Sequence, residues 1–192
     1  MTARNETKNL STARRIAFCA VFTALALALS IVENYFPLGL LIPVPGIKLG
    51  LANIVTVFAI VMLSPWDTLV IIVVRCLVMG LFTGPVSLVF SLSGALLAFV
   101  VMKSLSLGLG RMFSIIGISM GGAVAHNIGQ IAAAVVLMQD TGLVFSYLPL
   151  LMIVALFTGA LTGVAAIPVV TLIGKGLGKD LVKKDSGKDP RE

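Results

Sequence analysis

Residues 66–82 read WDTLVIIVVRCLVMGLF, an apolar run interrupted at its middle by a single arginine, Arg75. A membrane-crossing helix takes about 20 residues, with a range of about 17–25, so this run is long enough to be one. A cation at the centre of such a helix costs about 2.5–3.5 kcal/mol on insertion scales. An arginine kept at that depth faces the inside of a helical bundle. There it meets a partner carboxylate such as Glu33, an anionic ligand, or both. Arg75 is therefore the first candidate functional residue.

The rest of the chain agrees with a bilayer setting. Of its 192 residues, 58% are hydrophobic and 11% are charged. A soluble domain carries about 25% charged residues. Five further apolar runs join residues 66–82: 16–31, 49–63, 86–102, 113–138 and 147–173. The expected fold class is an all-α membrane protein, a bundle of six transmembrane helices forming one domain over residues 1–174. Residues 175–192 are expected as a charged cytoplasmic tail. The second and third runs are short, which predicts tilt or a thinned, polar part of the bundle. The last two contain Gly or Pro (Pro149, Pro168), which predicts tilt or a kink. The first run is too long for the core of a signal peptide and lacks a cleavage site, so none is expected.

Charge placement sets the expected orientation. Arg4, Lys8, Arg14 and Arg15 precede the first run, and Lys103 and Arg111 lie between the fourth and fifth. Lys175, Lys179, Lys183, Lys184, Lys188 and Arg191 follow the sixth. With six crossings all of these fall on one face, which the positive-inside rule assigns to the cytoplasm, so both termini are expected there. The net charge of +6 is accounted for in this way and predicts no nucleic-acid partner. Cys19 and Cys76 both lie in apolar runs and read as small apolar side chains, with no disulfide.

Polar residues inside the apolar runs supply the candidate site. In GISMGGAVAHNIGQIA (117–132), His126, Asn127 and Gln130 lie within about 100° of one another on a helix. They line a polar cavity or act as hydrogen-bonding glue between helices. Asn53, Lys48 and Glu33 flank the outer loop ENYFPLGLLIPVPGIKLGLAN (33–53), which is too rich in Pro and Gly for another helix. That loop is a lid over the outer mouth or an interfacial segment without ligand contact. Glu33, Lys48 and Arg75 together carry one net positive charge, which suits an anionic or strongly polar ligand. His126 has no Cys, Asp or Glu near it on its own run, so no metal is expected. Ala20, Ala24 and Ala28, in ARRIAFCAVFTALALALS (13–30), form a stripe of small residues on one helix face. Such a stripe permits close helix approach in lipid, within this bundle or against another membrane subunit.

Some chemistry is missing. No phosphate-cradling G-x-x-x-x-G-K-[ST] loop occurs, and no aspartate-rich run occurs to hold Mg²⁺ on a diphosphate. No enzymatic activity and no cofactor are expected.

The stretches ENYFPLG (33–39), PVPGIKLGLANIV (43–55), VRCLVMGLFTGPVSLVFSLSG (74–94) and GGAVAHNIGQI (121–131) resemble the Gx transporter family. Its members are often labelled heptaprenyl diphosphate synthase component I. The resemblance runs from about residue 15 to 174. That family in turn resembles the substrate-binding S components of energy-coupling factor (ECF) transporters. The resemblance implies six helices, a micronutrient bound on the outer side under a first-loop lid, and no catalysis. It also implies docking through an A-x-x-x-A stripe, here Ala20, Ala24 and Ala28, on a transmembrane coupling protein driven by two ATPase subunits. The loop 34–48 would be the lid. The label also implies a rival role, a membrane accessory subunit of a prenyl diphosphate synthase in isoprenoid or quinone biosynthesis.

Overall fold

The computed structural model describes residues 12–35, 51–109 and 112–185. Six helices make up the fold: α1 (Thr12–Asn34), α2 (Asn53–Met62), α3 (Pro65–Thr83), α4 (Pro85–Ser106), α5 (Ile115–Met138) and α6 (Gly142–Asp185). No strand occurs among the described residues. Five of the helices are long and apolar enough to cross a membrane. Together they make the chain a multi-pass membrane protein.

The exception is α2. Its ten residues rise only about 15 Å at 1.5 Å per residue, half of a ~30 Å hydrocarbon core. The run 49–63, expected to be short, thus holds a helix of only ten residues. It is neither a tilted full crossing nor a lipid-facing element, because eight of its residues, Val57 and Ala59 among them, are buried. It packs against all five other helices. Enclosed in this way, α2 shows lipid almost no surface and has no need to match the bilayer's thickness. Phe22 of α1 packs at a tilt on Phe58 of α2 with ring centroids 4.5 Å apart, and Ala26, Met62 and Ile71 belong to the same part of the core.

Local chemistry sets the helix boundaries. Ser64 caps α3, its Oγ accepting from the Asp67 N–H at 3.1 Å, with Pro65 at the first helical position. There the missing N–H of proline costs nothing. Between α3 and α4 the chain turns on Gly84 alone, at φ 92° and ψ 167°. This region is open essentially only to glycine. Ser114 caps α5 by accepting from the Gly117 N–H at 3.1 Å. At the other end of α5, Gln139 takes the left-handed conformation that closes many helices.

Arg15 and Asp67 form an ion pair at 2.8 Å. It ties the start of α1 to the start of α3, so these two helices run parallel and the chain returns between them through α2. The short second helix lies on that return path.

The tightest packing lies between α5 and its neighbours α4 and α6. A Cβ on Gly159 or Gly163 of α6 would come within 2.7 Å of the Met120 or Ile116 Cα of α5. This is a G-x-x-x-G face laid directly on a helix backbone. A hydrogen bond of 2.8 Å between the Ser119 and Thr162 hydroxyls fixes the register of the pair. The helix α6 runs 44 residues with Pro149 and Pro168 inside it, and its apolar span covers Val144–Leu172. The segment expected as a charged tail from 175 begins as a continuation of α6 to Asp185.

Candidate functional site

Arg75 is 7% exposed and Glu33 4% exposed, and both line one cavity. The wall is built from five helices. Ser30 and Glu33 come from α1, Asn53 from the start of α2, and Arg75, Cys76 and Met79 from α3. Ser91 of α4 and His126 of α5 close it. The space open to the centres of water molecules is about 20 Å³, room for one or two waters, since one needs roughly 10–15 Å³ by this measure.

The helices bring these groups together for physical reasons. Glu33 stands one turn after Ser30 on the same face of α1, and Met79 stands one turn after Arg75 on α3. Asn53 reaches the wall because the buried α2 begins there, with Ala52 before it and no side-chain cap on its first turn. His126 reaches it because α4 and α5 cross at glycines. A Cβ on Gly94 would lie 2.8 Å from the His126 carbonyl oxygen, and one on Gly129 would lie 2.7 Å from the Ser93 carbonyl oxygen.

The electrostatics centre on the guanidinium. Its Nη2 donates to the Cys76 Sγ at 3.8 Å. Among the described residues it forms no ion pair; the ion pair present is Arg15–Asp67 at the bundle's end. Glu33 shares the cavity without pairing with Arg75, and it has an interaction of its own. This answers one alternative left by the sequence, the structural Arg75–Glu33 pair. No group of three His, Cys, Asp or Glu among the described residues is arranged to hold a metal ion.

Of the residues singled out in the sequence, Glu33, Asn53, Arg75 and His126 meet on the cavity wall. Asn127 and Gln130 are buried but stand away from it. The Asn127 amide donates to the Leu151 carbonyl oxygen of α6 at 2.9 Å, so it takes the helix-to-helix option. Gln130 sits at the α4 crossing, where a Cβ on Gly94 would come within 2.9 Å of its Cγ. Two buried atoms, His126 Nδ1 and Gln130 Oε1, accept or donate no hydrogen bond, although both residues have other contacts. Lys48 lies outside the described residues, as does the expected lid apart from its first two residues, Asn34 and Tyr35.

Sequence reasoning missed Ser30, Cys76, Met79 and Ser91. The helical spacing of Ser30 to Glu33 and of Met79 to Arg75 was the available signal. Cys76 reads as an ordinary apolar residue until its neighbours are placed. Asn127→Ala is expected to lower stability by about 0.6 kcal/mol, and by no more than about 1.7, the range for hydrogen bonds between membrane helices. It should leave any co-purifying ligand in place; thermal unfolding and mass spectrometry of the purified variant check the two halves.

Fold and cavity together define a class: a multi-pass helical membrane protein with a small cavity, lined by polar side chains, between its helices. The chain belongs to the family described as heptaprenyl diphosphate synthase component I, whose model matches residues 22–168, every cavity residue included. No curated protein and no solved structure matches it.

Proposed function

We propose that this chain is the substrate-binding membrane subunit of an ECF-type uptake transporter, taking a small polar or anionic micronutrient or metabolite. The observation that carries the reading is the cavity itself. A buried arginine that meets no carboxylate among the described residues, beside Asn53 and His126 in an apolar bundle, reads as a ligand site by the ordinary logic of charges in membranes. No residue in it is assigned a catalytic role.

The helix α1 supports the same reading. Ala20, Ala24 and Ala28 are all exposed, and α1 packs inward through Phe22 and Ala26 instead. The described helices thus leave the alanine stripe uncovered. A stripe of small residues turned outward suits close docking on a second membrane protein. In the proposed arrangement the partners are a transmembrane coupling protein and two ATPase subunits, and both termini are cytoplasmic.

The test is co-purification from native membranes. The wild-type chain is expected to bring down a coupling protein with ATPases. Ala24→Leu, at an exposed position, should lose them while leaving thermal stability unchanged. Retention of those partners by Ala24→Leu would refute the docking stripe.

A second reading is favoured by the family's description. In it the chain is a membrane accessory subunit that holds a prenyl diphosphate synthase at the bilayer. That reading expects a soluble prenyl synthase in the pull-down and indifference to Arg75→Ala.

A further inference from the structure

We propose that the cavity takes the carboxylate end of its ligand, held between the Arg75 guanidinium and the first turn of α2. The proposal rests on the cavity being a ligand site and names the chemistry of what enters it.

Two independent features point to an oxyanion. Arg75 is more than nine-tenths buried, lines the cavity, and meets no carboxylate among the described residues; its polar contact is a thiol sulfur. Five N–H donors on a planar fork are a poor match for one sulfur and a good match for two oxygens. The second feature is α2. Its first residue, Asn53, lines the same cavity; no side chain caps its first turn, in which the Ile54 N–H is taken by the Leu51 carbonyl oxygen at 3.1 Å. The leading N–H groups of a helix lack partners within it and carry the positive end of its dipole. A buried cation and an uncapped helix start at one small cavity favour the same guest, a negatively charged oxygen.

Size and charge narrow the class. About 20 Å³ is open to the centres of water molecules, so a flat carboxylate enters with less rearrangement than a tetrahedral phosphate. A metal cation is disfavoured by Arg75 and by the lack of a suitable donor cluster among the described residues.

The test uses the full chain, purified in mild detergent, with acetate as the probe. Thermal unfolding is followed against rising acetate, inorganic phosphate and methylammonium at matched ionic strength. Binding to the folded state alone raises the midpoint in a saturable way. The expected result is a saturable upward shift with acetate, a smaller one with phosphate and none with methylammonium. The acetate shift should vanish in Arg75→Gln and persist, reduced, in Arg75→Lys, which keeps the charge but loses the fork. Three results would overturn the proposal: no saturable acetate shift in the wild type, a larger shift with phosphate, or an undiminished acetate shift in Arg75→Gln. Should that variant fail to fold, the wild-type comparison of acetate with phosphate decides alone. An acetate shift in a chain that brings down no transporter subunits would sink the transporter reading and leave this site standing. Co-purification without an acetate shift would do the reverse.

Discussion

Replacing Arg75 with methionine is expected to make the empty protein more stable and to abolish ligand retention. An arginine in the middle of a membrane helix costs about 2.5–3.5 kcal/mol. Among the described residues it gains no ion pair in return. Methionine fills a similar length with an apolar, flexible chain and removes the cost. Relief of the buried charge is expected to raise the unfolding midpoint of the purified variant in detergent, since replacing buried ionic groups by apolar ones is often stabilising by about 1–4 kcal/mol. Small molecules extracted from the wild type should be missing from the variant. A structural arginine would behave in the opposite way. Removing one member of a buried ion pair strands the other and destabilises by about 3–5 kcal/mol. A lowered midpoint in Arg75→Met would therefore refute the ligand site on stability alone.

Leucine at Gly129 is expected to leave no folded, monodisperse protein. Any Cβ there would lie 2.7 Å from the Ser93 carbonyl oxygen and 2.8 Å from the Gly94 Cα. Both obstacles are backbone, so no rotamer change relieves them and α4 must move away from α5. Overpacking typically costs about 1–3 kcal/mol when side chains can yield; with backbone on the far side the cost is expected at or above the top of that range. Gly129→Ala should already lower the unfolding midpoint, and the cavity should suffer with it, since His126 is placed by the same crossing. Ala132→Leu, three residues on and exposed, is the control and should be neutral. A Gly129→Leu protein that elutes and melts like the wild type would show that the α4–α5 contact is looser than these distances.

Much of the candidate site was legible because charge is scarce here. In a chain with 11% charged residues, Arg75 and Glu33 stand out against their apolar surroundings, and the only histidine does too. Polar side chains in lipid-spanning runs are expensive enough that each needs a reason. What the sequence did not separate was the kind of reason. His126 and Asn127 are adjacent, yet one faces the cavity and the other donates to α6. A wheel that places them 100° apart leaves both options open until the neighbouring helices are in place. Ser30, Cys76, Met79 and Ser91 were passed over because a hydroxyl, a thiol or a thioether is unremarked in a membrane helix, and only proximity to Arg75 gives them meaning.

The sequence by itself determined the class of the molecule: apolar runs of crossing length, basic residues at alternate connections, and a buried cation. These depend on the bilayer, an apolar slab between two polar faces that reads hydrophobicity and charge one helix at a time. The tertiary structure alone decided what depends on pairs of helices. It made the second run a ten-residue helix enclosed by the other five rather than a lipid-facing span. It turned the alanine stripe of α1 outward, and it left Arg75 in a cavity with Glu33 but without an ion pair between them. Those outcomes follow from close glycine crossings and from which face each helix turns to its neighbours, and no single run of sequence contains that information.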